Sequence, residues 1–139
     1  MSLRWHWRDC ILAFSDRLDG DMANLGVREH WLRQQAPQRW LVARQVHGTT
    51  IVTASTQTRA LGEADGIVTT LAGDGIAAFG ADCPAVVIDT GDALGIAHAG
   101  WRGTAAGIVP ALITRLTATS ATNCEQWGAW IGPGLIRAM

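Results

Sequence analysis

Residues 85–103 read AVVIDTGDALGIAHAGWRG, and this stretch decides the fold. It holds two short apolar runs, AVVID and LGIA, separated by polar and glycine residues. Apolar runs of this length without alternation predict strands that are covered on both faces, as in α/β proteins. A helix is expected next, at about 103–117, with Thr104 as its N-cap, and Pro110 should kink this helix or delay its start.

The rest of the chain extends this pattern outward in both directions. A further helix is predicted at 24–35, where apolar residues recur with helical spacing and Pro37 follows. Apolar or branched runs bounded by Gly, Asp and Pro predict six more strands, at 10–14, 40–46, 50–54, 66–70, 76–81 and 127–131. The order of elements therefore predicts a mixed α/β fold, with residues 1–139 as a single domain.

Composition excludes several classes of function. The 139 residues are 48% hydrophobic and 17% charged, which is typical of a folded globular protein. A net charge of −1 gives no basis for nucleic acid or an anionic membrane as the main partner. The sequence contains no lysine, so a lysine Schiff base and a Walker A phosphate loop are both excluded within it.

The cysteines and the N-terminal residues predict a compartment. Three cysteines without a CxxC pair do not form a disulfide framework. The first ten residues carry charge and tryptophan where a signal peptide needs an apolar core, and no apolar run reaches the roughly 18 residues of a membrane helix. We therefore expect a reducing, cytoplasmic location with no membrane partner.

Three residues could together bind a metal. His47, Cys83 and His98 each lie beside Gly, Pro or Asp at the end of an apolar run, where α/β folds place reactive groups. Zinc held by three nitrogen or sulfur ligands keeps a fourth position open, which is typical of catalytic sites. Only the fold could bring these residues together, because they are far apart along the chain.

Each candidate also has an ordinary structural explanation. Cys83 could be a small buried apolar residue, and His47 a turn or surface residue. Arg102, at the start of the predicted helix, could bind phosphate or pair with a neighbouring acid. Asp65 and Asp82 could orient a metal-binding imidazole or serve as turn residues.

One apparent nucleotide-binding motif is not supported by its context. Residues 73–78 read GDGIAA and match the pattern GxGxxA. That motif must follow a strand and open a helix, whereas these residues lead into a predicted strand. We therefore do not interpret them as a dinucleotide site.

Five motifs in order carry a resemblance to a known family. They are QVHG, EADG, GADCP, AHAGWRG followed by TAAGI, and IGP. Together they resemble the YfiH-type family, also called laccase-domain or multicopper polyphenol oxidase proteins, from about residue 14 to 133. The combination of HAGWRG with an upstream ADC is the specific part of this resemblance.

The resemblance implies a fold and a metal site. The implied fold is an α/β (α+β) sandwich of layered mixed sheets flanked by helices. His47, Cys83 and His98 match the residues that bind metal in the family, with zinc expected and copper as an alternative. Arg102, Asp82 and Arg28 are the matching candidates for binding substrate or phosphate.

The resemblance also implies activities. The first expectation is a zinc-dependent purine nucleoside enzyme that acts on adenosine, inosine or methylthioadenosine with phosphate, and that deaminates adenosine. Alternatives are a hydrolase that edits an amide of a peptidoglycan precursor, a copper-dependent polyphenol oxidase, and an inactive fragment that acts by association. True laccase chemistry requires more histidines than the four present.

The sequence departs from the family pattern at both ends. The loop after residue 14 is shortened, so Arg28 matches only approximately. The chain also stops just after IGP, and we expect it to lack the family's C-terminal part.

Overall fold

The computed structural model describes residues 3–35 and 37–134. In chain order the strands are β1 (Leu3–Trp7), β2 (Cys10–Phe14), β3 (Arg39–Val42), β4 (Ile51–Thr53), β5 (Gly66–Thr69), β6 (Asp74–Ala77), β7 (Ala85–Asp89), β8 (Leu94–His98) and β9 (Gly128–Ile131). The helices are α1 (Leu25–Arg33), α2 (Trp101–Ala106) and α3 (Ile108–Thr119), with a short 3₁₀ helix at Cys124–Gln126. The mixed α/β fold predicted from the sequence is confirmed.

The chain forms two compact units, Met1–Gln38 and Arg39–Met139. In the first unit, β1 and β2 form an antiparallel hairpin. Helix α1 begins after Asn24, whose side chain accepts a hydrogen bond from the backbone N–H of Val27. This capping contact satisfies one of the donors that a helix leaves unpaired at its first turn.

The second unit is built on a five-stranded sheet in the order β4-β5-β8-β7-β9. β4 runs parallel to β5, and the remaining neighbours are antiparallel. β3 and β6 form a separate parallel pair. All four residues of β5 and four of the five in β8 are buried, which agrees with their apolar sequences.

Helix α3 covers one face of this sheet. Ile108, Leu112 and Leu116 are fully buried and recur with the spacing that places them on one side of a helix. Gly95 of β8 permits the close approach, because a Cβ there would lie 2.9 Å from Cδ1 of Leu112. The core of the second unit therefore forms between α3 and the centre of the sheet.

The helical segment after β8 differs from the sequence prediction. Instead of one helix at 103–117 capped by Thr104, the structure has α2 and α3, and Gly100 is the N-cap of α2. Gly107 separates them with φ +99°, a conformation that favours glycine. Pro110 falls in the first turn of α3, where its missing N–H costs no helical hydrogen bond, which agrees with the expectation of a delayed helix start rather than a kink.

Strand boundaries also differ in places. The strands expected at 40–46 and 76–81 are Arg39–Val42 and Asp74–Ala77, and β1 was not predicted. Residues 73–78, which match the GxGxxA pattern, lead into strand β6 and not into a helix, as their sequence context predicts. Across residues 3–35 and 37–134, no helix combines the length and apolar composition needed to cross a bilayer.

Candidate metal centre

Three strand ends meet at one edge of the five-stranded sheet. The register pairs Gly66 with Ala97, and Ala85 with His98. Residues immediately before β5 and β7 therefore lie beside the end of β8. The topology thus brings Asp65, Cys83 and His98 to the same edge, although they are distant in sequence.

A tight loop adds His47 to this edge. The backbone N–H groups of Val46, His47 and Gly48 all donate to the carboxylate of Asp65, at 2.9, 3.0 and 3.0 Å. His47 has φ +60°, which is uncommon for a residue other than glycine. The three hydrogen bonds hold the loop in this conformation and fix the position from which the His47 side chain extends.

The three predicted ligands converge. One donor atom from each of His47, Cys83 and His98 lies within 4.8 Å of the other two. The two imidazole rings meet edge to face, with centroids 5.0 Å apart and an interplanar angle of 73°. His98 is buried, Cys83 is half-buried and His47 is exposed, so the cluster opens to solvent on the His47 side.

A buried carboxylate orients His98. Nδ1 of His98 lies 2.8 Å from Oδ2 of Asp65, and both side chains are almost fully buried. When Nδ1–H donates to this carboxylate, Nε2 is left as the nitrogen that can bind a ligand, which is the arrangement common around metal-binding histidines. The expectation that Asp65 could orient a metal-binding imidazole therefore agrees with the geometry.

The environment of Asp65 favours its charged form. Burial has the largest single effect and raises the pKa of this carboxyl. The hydrogen bonds from His98 and from three backbone N–H groups together outweigh burial, and the net pKa lies below the ordinary value. Asp65 is therefore ionised at neutral pH and can accept a hydrogen bond from Nδ1–H of His98.

Gly100 leaves space beside the cluster. A Cβ at this position would lie 2.9 Å from Sγ of Cys83 and 3.4 Å from Cδ2 of His47. Gly103 similarly allows α2 to approach the loop, since its Cβ would lie 3.2 Å from the carbonyl oxygen of Gly48. The two glycines of the HAGWRG motif thus allow α2 to begin directly against the candidate site.

The other predicted site residues have different positions. Arg102 is exposed on α2, with its guanidinium carbon 5.1 Å from the centroid of the Trp101 ring. Asp82 is exposed next to Cys83, and it is Asp65 that contacts the imidazole of His98. Arg28 lies in α1, in the first compact unit.

Gln45 is not among the site residues predicted from the sequence. Its side-chain amide makes two hydrogen bonds to the backbone of Phe79, one in each direction. The available signal was its place two residues before His47, where an uncharged amide precedes a turn. Nothing in the sequence indicated that its partner would be the segment leading to Cys83.

Comparisons with known proteins show similarity to one family. The family model described as "Multi-copper polyphenol oxidoreductase laccase" matches residues 15–138. A purine nucleoside phosphorylase of Rickettsia conorii is 38% identical over 100 residues, which is 70% of this chain and 40% of that protein. The matched region thus spans about 40% of the length of this relative and of the Xylella fastidiosa relatives.

Solved structures share the fold. YlmD from Geobacillus stearothermophilus superposes with a TM-score of 0.71 at 29% identity, covering 78% of this chain and 45% of that one. The hypothetical protein YfiH of Bacillus licheniformis gives 0.70 at 26% identity, covering 80% of this chain and 46% of its own. Both matches extend over most of the residues described above.

Proposed function

This chain belongs to the multi-copper polyphenol oxidoreductase laccase family, and on that premise we propose that it carries the metal centre of an enzyme acting on purine nucleosides. The convergence of His47, Cys83 and His98 is the observation that carries the proposal. Relatives named purine nucleoside phosphorylase support the substrate class. The proposed partners are a purine nucleoside and phosphate.

The residues present fit a zinc ion. Two imidazole nitrogens and one thiolate sulfur are donors that zinc prefers, and they also suit copper. Zinc bond lengths put tetrahedral ligand atoms about 3.3–3.6 Å apart, and the three donor atoms here lie within 4.8 Å of one another. When bound, zinc would supply a Lewis acid beside an open coordination position.

The protein's own groups prepare this site. Asp65 fixes the ring of His98 and the loop that carries His47, so two of the three ligands depend on one carboxylate. Glycine at position 100 lets the start of α2 pack closely against the thiol of Cys83. Preorganisation of this kind reduces the cost of ordering the ligands when a metal binds.

Phosphorolysis also requires a phosphate site. An oxygen of phosphate bonds to C1′ of the ribose while the glycosidic bond breaks, and the electron pair leaves with the purine, which gains a proton. We assign phosphate to Arg102, because its forked donors match phosphate and it lies two residues after Gly100. Asp82 and Arg28 stay proposed substrate-binding residues on the basis of the family resemblance, as does deamination of adenosine.

A direct assay tests the proposal. Zinc-loaded protein is incubated with inosine or adenosine and phosphate, and the free base and ribose 1-phosphate are measured. We expect His98→Ala to lower turnover by more than about 100-fold, since loss of an outer contact to a metal ligand alone costs 10- to 100-fold. His30→Ala, an exposed histidine of α1, is the matched control and should retain activity. Absence of turnover in the zinc-loaded wild type would contradict the proposal.

A second candidate follows from the same cluster. Cys83 lies within reach of two imidazoles, and a Cys–His pair is sufficient for nucleophilic attack on an amide. This supports the alternative of a hydrolase acting on a peptidoglycan precursor. Alkylation of Cys83 by iodoacetamide separates the two: protection by zinc supports the metal centre, whereas unchanged reactivity with zinc present supports a free thiol nucleophile.

We also propose a cytoplasmic location. Cys10, Cys83 and Cys124 form no disulfide bond in the structure. A function that uses the Cys83 thiolate as a ligand requires a compartment that keeps thiols reduced. Fractionation with antibody detection tests this assignment.

A further inference from the structure

Cys83 enters the cluster on a different segment of the chain from the two histidines. Asp65 holds the loop of His47 and the ring of His98 directly. Cys83 instead lies in the connection between β6 and β7, whose residues 78–84 form no regular element. The N–H of Ala99 donates to the carbonyl oxygen of Pro84 at 2.9 Å and ties the C-terminal side of this connection to the end of β8. A second contact, nearer to β6, would fix the connection before Cys83 as well.

The side chain of Gln45 supplies that contact. Its Nε2 donates to the carbonyl oxygen of Phe79 at 2.6 Å, and its Oε1 accepts from the N–H of Phe79 at 2.8 Å. A pair of opposed hydrogen bonds fixes both the distance and the orientation of a peptide backbone, as strand pairing does. Gln45 also immediately precedes the loop that Asp65 holds, so the hydrogen bonds to Phe79 and those to Asp65 act on the same stretch of backbone.

The turn after Phe79 transmits this position to Cys83. A Cβ on Gly80 would lie 2.3 Å from the carbonyl oxygen of Cys83 and 3.4 Å from its Cβ. The backbone at Gly80 therefore packs directly on Cys83. We expect a shift of the backbone at Phe79 to be passed through this contact to Cys83.

We propose that Gln45 is a positioning residue that holds the Cys83 segment against the two histidines, so that all three donor atoms reach one metal ion. This inference rests on the proposed metal centre. It adds a role for a residue that touches none of the three ligand side chains in any described contact. Without the two hydrogen bonds, Asp65 still holds the histidines, whereas the connection before Cys83 loses its tie to the loop of His47 and the sulfur is held less firmly, through the pairing of Pro84 with Ala99.

Metal binding by the purified chain tests the role of Gln45. Gln45→Met keeps the length of the side chain and removes both hydrogen bonds, and Gln57→Met makes the same chemical change at an exposed position. Zinc affinity is measured by chelator competition. We expect Gln45→Met to bind zinc 10- to 100-fold more weakly, the loss typical of outer contacts, and Gln57→Met to match the wild type.

A spectroscopic measurement separates positioning from general stability. Bound Co²⁺ gives a sulfur-to-metal charge-transfer band only when the thiolate is a ligand. We expect this band to weaken in Gln45→Met while the ligand-field bands of Co²⁺ bound by the histidines persist. A band of wild-type intensity with wild-type zinc affinity would overturn the inference, even if the melting temperature of the metal-free protein falls.

Two further outcomes keep the inferences distinct. If the wild type shows no charge-transfer band with Co²⁺, the proposed metal centre fails, and the role of Gln45 fails with it. If Gln45→Met does not fold, Gln45→Glu replaces it, since it keeps the acceptor for the N–H of Phe79 and loses the donor to its carbonyl. A smaller loss of zinc affinity in the same direction supports the inference, and an unchanged affinity overturns it.

Discussion

The hairpin of β7 and β8 has a polar cluster at each end, and the two clusters differ in the side-chain groups that remain available to bind a ligand. At the turn, the carboxylate of Asp92 accepts from the hydroxyls of Thr90 and Ser120 and from the N–H of Ala121. At the other end, Asp65 accepts from three backbone N–H groups and lies against His98. Both carboxylates are surrounded by donors that lower their pKa.

The difference lies in the groups around each carboxylate. The turn contains hydroxyls and backbone groups that bond to one another, such as Thr122 with the carbonyl oxygen of Thr90 and with Nε1 of Trp127. The other end brings together sulfur and imidazole donors instead. In the described residues, these three are the only group of His, Cys, Asp or Glu side chains close enough to hold a metal ion. At both ends, a carboxylate that accepts several hydrogen bonds holds the local structure in place. The sulfur and imidazole donors lie at the Asp65 end, which is therefore the candidate site.

The largest expected effect comes from removing the carboxylate at the site end. Asp65→Ala leaves three backbone N–H groups and Nδ1 of His98 without their acceptor. Because each buried donor left unpaired costs about 1–3 kcal/mol, we expect a loss of roughly 3–5 kcal/mol in the free energy of unfolding. Urea denaturation of the metal-free protein measures this. A loss below about 1 kcal/mol would mean that the loop of His47 does not depend on Asp65.

The turn end should respond more weakly and without effect on metal. Asp92→Asn keeps the shape but weakens three accepted hydrogen bonds, so we expect the melting temperature to fall by a few degrees at neutral pH. Zinc affinity should match the wild type, because the turn lies at the opposite end of both strands. A weakened zinc affinity would show that the two clusters are coupled.

Acid should remove the difference between the wild type and Asp92→Asn. Hydrogen bonds, chiefly from Ser120, lower the pKa of Asp92 from 3.8 to about 2 in the folded protein. A lowered pKa stabilises the fold fully above the unfolded value, and this contribution is lost as the pH falls from about 4 through about 2. Urea midpoints of the two proteins should therefore converge between pH 5 and pH 2. A constant difference across this window would contradict the assignment.

Local pattern predicted the elements that carry the site. The apolar run AVVID forms β7, and LGIA forms the first four residues of β8. Cys83 lies two residues before β7, and His98 is the last residue of β8. The family resemblance pointed to His47, Cys83 and His98 as candidate ligands, and the register explains how Cys83 and His98 come to the same end of the sheet. These features depend on short stretches of sequence, which is why they could be anticipated.

Long-range hydrogen bonds could not be predicted in the same way. Nothing in the sequence distinguishes Asp65 from Asp82 as the partner of His98, since both precede strands and adjoin small or turn residues. The pairing of Gln45 with Phe79 joins segments 34 residues apart. Such contacts depend on strand order, and the parallel pair β3 and β6 was not anticipated either.

The smallest expected effect concerns the residue that joins the two ends. Gly107 lies between α2, which starts at the site, and α3, which ends beside the turn at Ser120. Its φ of +99° is unfavourable for alanine, and a Cβ there would meet no atom within 4 Å, so Gly107→Ala introduces backbone strain alone. We expect a loss of about 1 kcal/mol in the free energy of unfolding. Zinc affinity should be unchanged if α2 is held at the site by its own contacts at Gly100 and Gly103. A parallel loss of zinc affinity would instead mean that the break at Gly107 sets the position of α2, and that the two ends of the hairpin are linked through the helices.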